Sequence, residues 1–503
     1  MMSQPPRYRP AHSRGRFFVA VTLVAASGAL DAQTTRPPVS RAERLAADTI
    51  ALTFDAAITR ALRDGEEVRA AVTAIDIAEA QIGIARATGL PQLRLSSGYS
   101  QVVENARATI VGSVFGQSYN YTASAQLSQP LFLGGRVVAG ARAAGAARGA
   151  ARATTTEVRG QVVVDVERAY LNALFTRRLI EIQSRNLQLA DQRVTQTQQL
   201  ETAGRASRYD VLRLKVERAN LEPGLVQAQN DYAIAVLNLR RLVNVPSERP
   251  IALTSELDTV SLRRLLATVD TSPNVGEVRA TVRAAELTRS AREAGVRVAR
   301  ADLFPSVTAT LTSGYLALPS SNGLPTRGGA TSAANCPAGS AASRVCQNNG
   351  WFADRNFGFQ VSWPIFDGLR TKSNLDNAHA LVDAANTQLA LVREQVAIEG
   401  AAARAEFGRA RTLFDARRQT VAEATEAYDL AVLRNARGVG TALDVSDAQL
   451  NLVRAEVNAA RAIYDVFLAA AELARTTGRP IPLPDGGAMR ITDRGADRVA
   501  TDR

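Results

Sequence analysis

The run from Phe366 to Arg479 contains no proline and is dense in Ala, Leu, Val, Glu and Arg. It is broken only near Arg437-Gly438-Val439-Gly440-Thr441. Apolar or small residues stand at Leu375, Ala378, Val382, Ala385, Leu389, Val392 and Val396. Steps that alternate three and four make the seam of a helix packed on other helices. The part before the glycines holds roughly 70 residues, a rod of about 100 Å at the α-helical rise. No compact domain contains such a helix as its core. The chain must build a bundle.

The second constraint is repetition. Ser128-Gln129-Pro130-Leu131-Phe132 returns as Ser362-Trp363-Pro364-Ile365-Phe366, and Gly204, Ser207, Asp210 and Val211 return as Gly438, Thr441, Asp444 and Val445. The interval between the two motifs is the same in both copies. Upstream, Leu90-Pro91 is matched by Phe304-Pro305. The unit is a helix, a β-hairpin, a very long helix, a tight turn and a returning helix. Copy one spans 50–247 and copy two 273–478, with a connector over 248–272 that includes a short helix near Ser261 to Thr268. A tail, 479–503, carries Pro480, Pro482 and Pro484 and is expected to be ordered only in part.

The strands alternate. Tyr119, Tyr121, Ala123, Ala125 and Leu127 interleave with Asn120, Thr122, Ser124 and Gln126, and Phe357, Phe359 and Val361 interleave with Asn356, Gly358 and Gln360. A half-buried sheet in a soluble domain gives the same period. An aromatic, apolar face opposite Ser, Thr, Asn and Gln also suits a barrel with lipid outside and water inside. Four strands cannot close such a barrel, and open edges are not tolerated in lipid. Several chains would have to contribute strands. Proline fixes φ and cannot donate to a ladder, so Pro91, Pro130, Pro305 and Pro364 are expected at the strand–helix junctions.

Each turn after a long helix has a local mechanism. Gly204 and Gly438 can end a helix in the left-handed region. Ser207 and Thr441 then cap the next helix, with Asp210 and Asp444 completing a capping box. Pro223-Gly224 falls inside the first returning helix, where a kink is expected.

The N-terminus reads as a secretory signal over 1–32. Arg7, Arg9, Arg14 and Arg16 precede the apolar run Phe17 to Leu30, with cleavage expected near Ala29 or Ala32. The second hairpin loop, about 316–354, is longer than the first and holds Cys336 and Cys346. In an oxidising compartment they are expected to form a loop disulfide, the alternative being two free thiols. The formal charge of the 503 residues is +12, carried almost entirely by Arg interleaved with Asp and Glu. Clustered charge with interleaved aromatics is missing, which argues against a nucleic-acid surface. No metal-ligand spacing, nucleophile motif or phosphate loop is present, so neither an enzyme nor a cofactor is expected.

In order and spacing these motifs resemble the outer-membrane efflux protein family, the TolC-like channel-tunnels of Gram-negative bacteria. The opening Leu52-Thr53-Phe54-Asp55-Ala56-Ala57, the Leu-Pro before the first hairpin, the Pro-Leu/Ile-Phe after each and the Gly-x-x-Ser/Thr-x-x-Asp-Val turns carry the resemblance. It implies a membrane α+β fold: a long-helix α-barrel in the periplasm joined to an outer-membrane β-barrel. Each protomer would supply four strands, and a homotrimer would close the barrel. Gly204, Ser207, Asp210, Val211 and Leu212, with Gly438, Gly440, Thr441, Asp444 and Val445, would be tips facing a periplasmic adaptor coupled to an inner-membrane transporter. The implied function is a passive exit duct for small molecules, with protein secretion or metal export as alternatives. A secreted coiled-coil adhesin is the reading from another class; it would need no lipid-facing strands. Ser446 stands where the first copy has Leu212, so the two tips are not expected to dock alike.

Overall fold

The computed structural model describes residues 49–104, 119–246, 249–256, 259–269, 279–317, 351–483, 487–492 and 495–499. All belong to one compact unit, Thr49–Arg503. The signal sequence and the Cys336–Cys346 loop lie outside the described residues.

The chain begins with β1 (Ile50–Leu52), α1 (Phe54–Asp64) and α2 (Glu66–Ala87), then β2 (Gln92–Gln101) and β3 (Tyr119–Leu133). The long α3 (Arg136–Thr202) and the returning α4 (Arg208–Leu242) follow. After β4 (Ile251–Leu253) and α5 (Thr259–Thr268) come α6 (Ala280–Arg300), β5 (Ser306–Ala317) and β6 (Trp351–Ser362). Then α7 (Arg370–Ala436) descends and α8 (Ala442–Thr477) returns. The chain closes with β7 (Ile481–Leu483), β8 (Gly487–Thr492) and β9 (Gly495–Val499). The two long helices each have 67 residues, and the returning helices have 35 and 36. The seam predicted on α7 is visible in burial: Leu375, Ala378, Val382, Ala385, Leu389, Val392 and Val396 are covered while their neighbours are exposed.

Two four-helix layers result. Toward the sheet the helices neighbour one another in the order α2–α3–α6–α7, and beyond the waist in the order α4–α3–α8–α7. Between them sits the core. Leu52, Phe54, Ile58, Val163, Val166, Tyr170, Leu171, Leu239, Leu262, Phe467 and Leu473 pack into one buried cluster. Tyr170 anchors it: its hydroxyl donates to the Leu52 carbonyl at 2.8 Å, and its ring meets Phe54 edge-to-face at 5.3 Å. Around it, α3, α6, α7 and α8 are tied by ion pairs, in which Arg279 and Arg475 both donate to Glu157, at 2.8 and 2.7 Å. Arg279 also reaches Glu399.

Strands β2, β3, β5 and β6 form one antiparallel sheet in that order. Register places Leu93, Leu127, Leu311 and Phe357 in a row across it, with Tyr99 and Tyr121 paired higher up at 5.0 Å. This face is open to the surroundings: Leu95 is 78 % and Phe357 65 % exposed. The opposite face is hydroxyl- and amide-bearing, as where Ser96 and Ser124 meet at 2.9 Å. Among the described residues, no helix is long and apolar enough to cross a membrane.

Several expectations are corrected. Pro130 is not at the junction; it lies inside β3, at an irregularity in register between Pro130 and Phe132. Strand β2 has ended by then, its last pair being Gln92 with Ser128, so the missing N–H breaks no bond on that side. The turn into α3 is made instead by Gly134 and Gly135, with φ of 61° and 83°. Pro91, Pro305 and Pro364 do flank their strands. Helix α4 runs through Pro223. Leu214 and Ala228 are buried on either side, and packing onto α3 holds the helix across the lost hydrogen bond. The tail contributes to the core over its described residues 479–483, 487–492 and 495–499. Ile481, Leu483 and Met489 are buried in the core, because β7 packs on α8 and pairs with β8. The connector helix occurs as expected, while the parallel pairing of β1 with β4 was not anticipated.

Candidate functional site

The two tips remote from the sheet are built alike. At the end of α3, Gly204 takes φ 75°, and its N–H donates to Glu201 at 2.9 Å while Arg205 N–H reaches back to Leu200 at 2.8 Å. At the end of α7, Gly438 takes φ 76°, with Gly438 N–H on Asn435 and Val439 N–H on Arg434, both at 3.0 Å. This pair of reversed bonds satisfies carbonyls that the helix end would leave open, and glycine adopts the required φ at no steric cost. Gly440 meets a second constraint, since a Cβ there would come within 3.1 Å of the Arg434 Cβ.

Both returning helices open with a capping box. Ser207 accepts from Asp210 N–H at 3.2 Å and its own N–H donates to the Asp210 carboxylate at 3.2 Å. Thr441 and Asp444 exchange the same bonds at 3.1 and 2.8 Å. The Ser207 hydroxyl, and with it the backbone N–H, holds the Asp210 carboxyl below the usual carboxylate range. Asp444 is lowered in the same way, chiefly by the Thr441 N–H.

Exposure divides the anticipated tip residues. Gly204, Ser207, Leu212, Gly438, Thr441 and Asp444 are exposed, and Asp210 and Gly440 half-buried. Val211 and Val445 are buried and cannot face a partner.

A polar cluster just above the tips escaped the sequence reading. Arg193 of α3 donates to Gln449 at 2.7 Å, to Ser446 at 2.7 Å and to the Ala442 carbonyl at 3.3 Å, all on α8. The Ser446 hydroxyl donates to Glu217 of α4 at 3.0 Å, and Gln449 donates to buried Asn186 of α3. One arginine thus links the two helical hairpins. Ser446 is explained by this: its side chain turns inward, whereas Leu212, at the matching place, is 52 % exposed. Asn186 and Arg193 occupy seam positions of α3, a step of three and four either side of buried Ala190, and polar residues in a seam were the available signal.

One further buried group stands apart from the tips. Glu167, in the middle of α3, is fully covered and neither carboxylate oxygen has a hydrogen-bond partner. Burial pushes its carboxyl well above the usual range. Among the described residues no cluster of His, Cys, Asp and Glu could hold a metal ion.

The pattern of the outer membrane efflux protein family matches residues 57–245 and 274–479. The cobalt-zinc-cadmium resistance protein CzcC of Cupriavidus metallidurans is 26 % identical over 436 residues, 85 % of this chain and 90 % of its own. Among solved structures, the Campylobacter jejuni CmeC outer membrane channel has TM-score 0.70 and 16 % identity, covering 91 % of this chain and 94 % of its own. The Vibrio cholerae outer membrane protein VceC has TM-score 0.67 and 20 % identity, covering 85 % and 96 %. The fold is that of a TolC-like channel, and with both helix–hairpin–helix halves inside the matched segments, the chain belongs to the outer membrane efflux protein family.

Proposed function

We propose that a homotrimer of this chain is the outer-membrane exit duct of a tripartite efflux system. The sheet carries the reading. Among the described residues it has an exposed apolar face, a polar face and two unpaired edges, β2 and β6, and unpaired edges do not stand in lipid. Three copies of this four-stranded sheet would close one antiparallel barrel of about twelve strands, a size within the range of outer-membrane barrels. The helices would continue from it as a tunnel across the periplasm.

The duct is passive: it conducts small, toxic molecules delivered by a periplasmic adaptor and an inner-membrane transporter that supplies the energy. Residues 50–247 and 273–478 form its two repeats, 248–272 the connector at the waist, 479–503 the tail, and 1–32 a signal removed on export. The exposed tip residues Gly204, Ser207, Leu212, Gly438, Thr441 and Asp444, with Asp210 and Gly440, face the adaptor. Metal-ion export is the second reading, favoured by the likeness to CzcC.

The duct reading requires fractionation with outer membranes and a detergent-stable trimer. Recovery as a soluble monomer overturns it. A deletion strain profiled against drugs and against cobalt, zinc and cadmium separates the two cargo readings.

A further inference from the structure

At the foot of the sheet the two copies make the same bond with different side chains. In the first, the Gln129 amide donates to the Gly89 carbonyl at 3.0 Å. In the second, the Trp363 indole N–H donates to the Leu303 carbonyl at 3.2 Å. Gln129 and Trp363 each precede a proline, and Gly89 and Leu303 each stand two residues before one, so the positions match. An amide suffices for this bond. The ring of Trp363 is surplus to it.

Trp363 follows Phe357, Phe359 and Val361 at alternate positions, so it ends the exposed apolar face of the sheet, and it is itself 60 % exposed. Exposed Leu303 and Phe304 lie at the same foot. Arg300 and Arg297 precede Leu303 at steps of three, which sets them in one row leading down α6 from the indole. Arg300 is about 5 Å below Leu303 along the axis. Both arginines are exposed, and among the described residues neither is in an ion pair. The neighbouring carboxylates are engaged elsewhere, Asp302 by Arg136 and Glu293 by Arg289. The first copy lacks this set: Arg86 matches Arg300, but Gly83 stands in place of Arg297 and Gln129 in place of Trp363.

An indole with its N–H satisfied, at the edge of an apolar face, suits the level where acyl chains give way to headgroups. Two uncompensated guanidinium groups beneath it offer donors that fit phosphate oxygens. We infer that Trp363, Arg300 and Arg297 form a site for one anionic phospholipid per subunit, at the helix-side foot of the sheet and in the second copy only. The acyl chains lie on Trp363, Val361 and Phe359, and the headgroup phosphate on the two arginines. A zwitterionic headgroup would bring its own ammonium to the arginines and is disfavoured. The inference rests on the membrane reading of the sheet and adds to it a lipid of stated charge at a stated place.

The test uses the full chain, solubilised from outer membranes in detergent, carrying Trp351→Phe so that Trp363 is its one remaining tryptophan. Its fluorescence is followed while phosphatidylglycerol or phosphatidylcholine, each brominated in the acyl chains, is added. Phosphatidylglycerol should reach half-quenching at a mole fraction lower by about tenfold or more, at roughly fivefold per guanidinium. Arg297→Gln with Arg300→Gln should abolish that advantage, while Arg86→Gln, the matching change in the first copy, should leave it intact. Equal quenching by the two lipids overturns the site and leaves the membrane reading standing. An advantage that survives loss of both arginines overturns it as well. An advantage removed by inorganic phosphate assigns the arginines to the free ion and overturns the lipid. Quenching by neither lipid removes the lipid-facing sheet, and the duct reading with it.

Discussion

The two hairpins, α3–α4 and α7–α8, share their lengths, their left-handed glycines and their capping boxes, yet they differ at a few matching positions. Where the first has Glu167, Arg193, Leu212 and Pro223, the second has Ala401, Ala427, Ser446 and Val457. The shared features are those that the backbone of a helical turn demands. Of the differing ones, Arg193 bonds the other hairpin, Leu212 and Pro223 are exposed, and Glu167 is buried without a hydrogen bond. The turn is the same in both hairpins, and the contacts around it differ.

Exchanging residues between the hairpins breaks the comparison open. The largest effect is expected from Pro223→Val, which restores the backbone donor and should stabilise α4 by up to about 3 kcal/mol. Thermal or denaturant unfolding would show it, and an unchanged midpoint would mean that the helix had already adapted around the ring. Arg193→Ala copies the second hairpin and takes the guanidinium donor from Ser446, Gln449 and the Ala442 carbonyl, a cost of about 1–3 kcal/mol. The tips should loosen, read as faster hydrogen exchange at the head of α8. Protection equal to wild type would show that the hairpins are held together elsewhere.

Glu167→Gln should flatten the pH dependence of stability. The folded carboxyl titrates above its unfolded value, so the native state holds the extra proton. Wild-type stability should therefore fall as pH rises above about 4.5, until the folded carboxyl itself ionises. A wild-type profile as flat as that of the variant would mean that the carboxylate has a counter-charge or water. The smallest effect, and the control, is at the caps. Ser207→Ala and Thr441→Ala should each cost about 1 kcal/mol, equally at both tips. Unequal losses would show that the turns differ more than their bonds imply. The lowered Asp210 and Asp444 carboxyls add stability above their unfolded values, lost as pH falls through the folded ones.

Much of this was legible because it is local. A glycine, then Ser or Thr, then Asp three residues on specifies helix end and helix start within a few bonds. The burial seam of α7 follows from periodicity alone. Ser446 was visible as a departure, but its reason was not. Knowing that it bonds Arg193 requires knowing that α3 lies against α8, more than two hundred residues along the chain. Val211 and Val445 misled because a motif identifies a turn without saying which side of its helix is covered. Pro130 and Pro364 occupy the same place in the repeat, yet one lies within its strand and the other beyond it, since β3 continues along β5 past the end of β2.

By itself the amino-acid sequence determined the duplicated plan: long rods, alternating strands, capped turns and a sheet too small to close alone. These follow from periodicity and from the steric needs of Gly and Pro, which act within a few residues. Only the tertiary structure decided where the core sits. Ile50–Leu52 pairs with Ile251–Leu253, Tyr170 binds the Leu52 carbonyl, and the tail supplies Ile481 and Met489. It also decided which helix faces remain open. Burial and pairing across hundreds of residues depend on which surfaces meet, and short-range chemistry does not encode that.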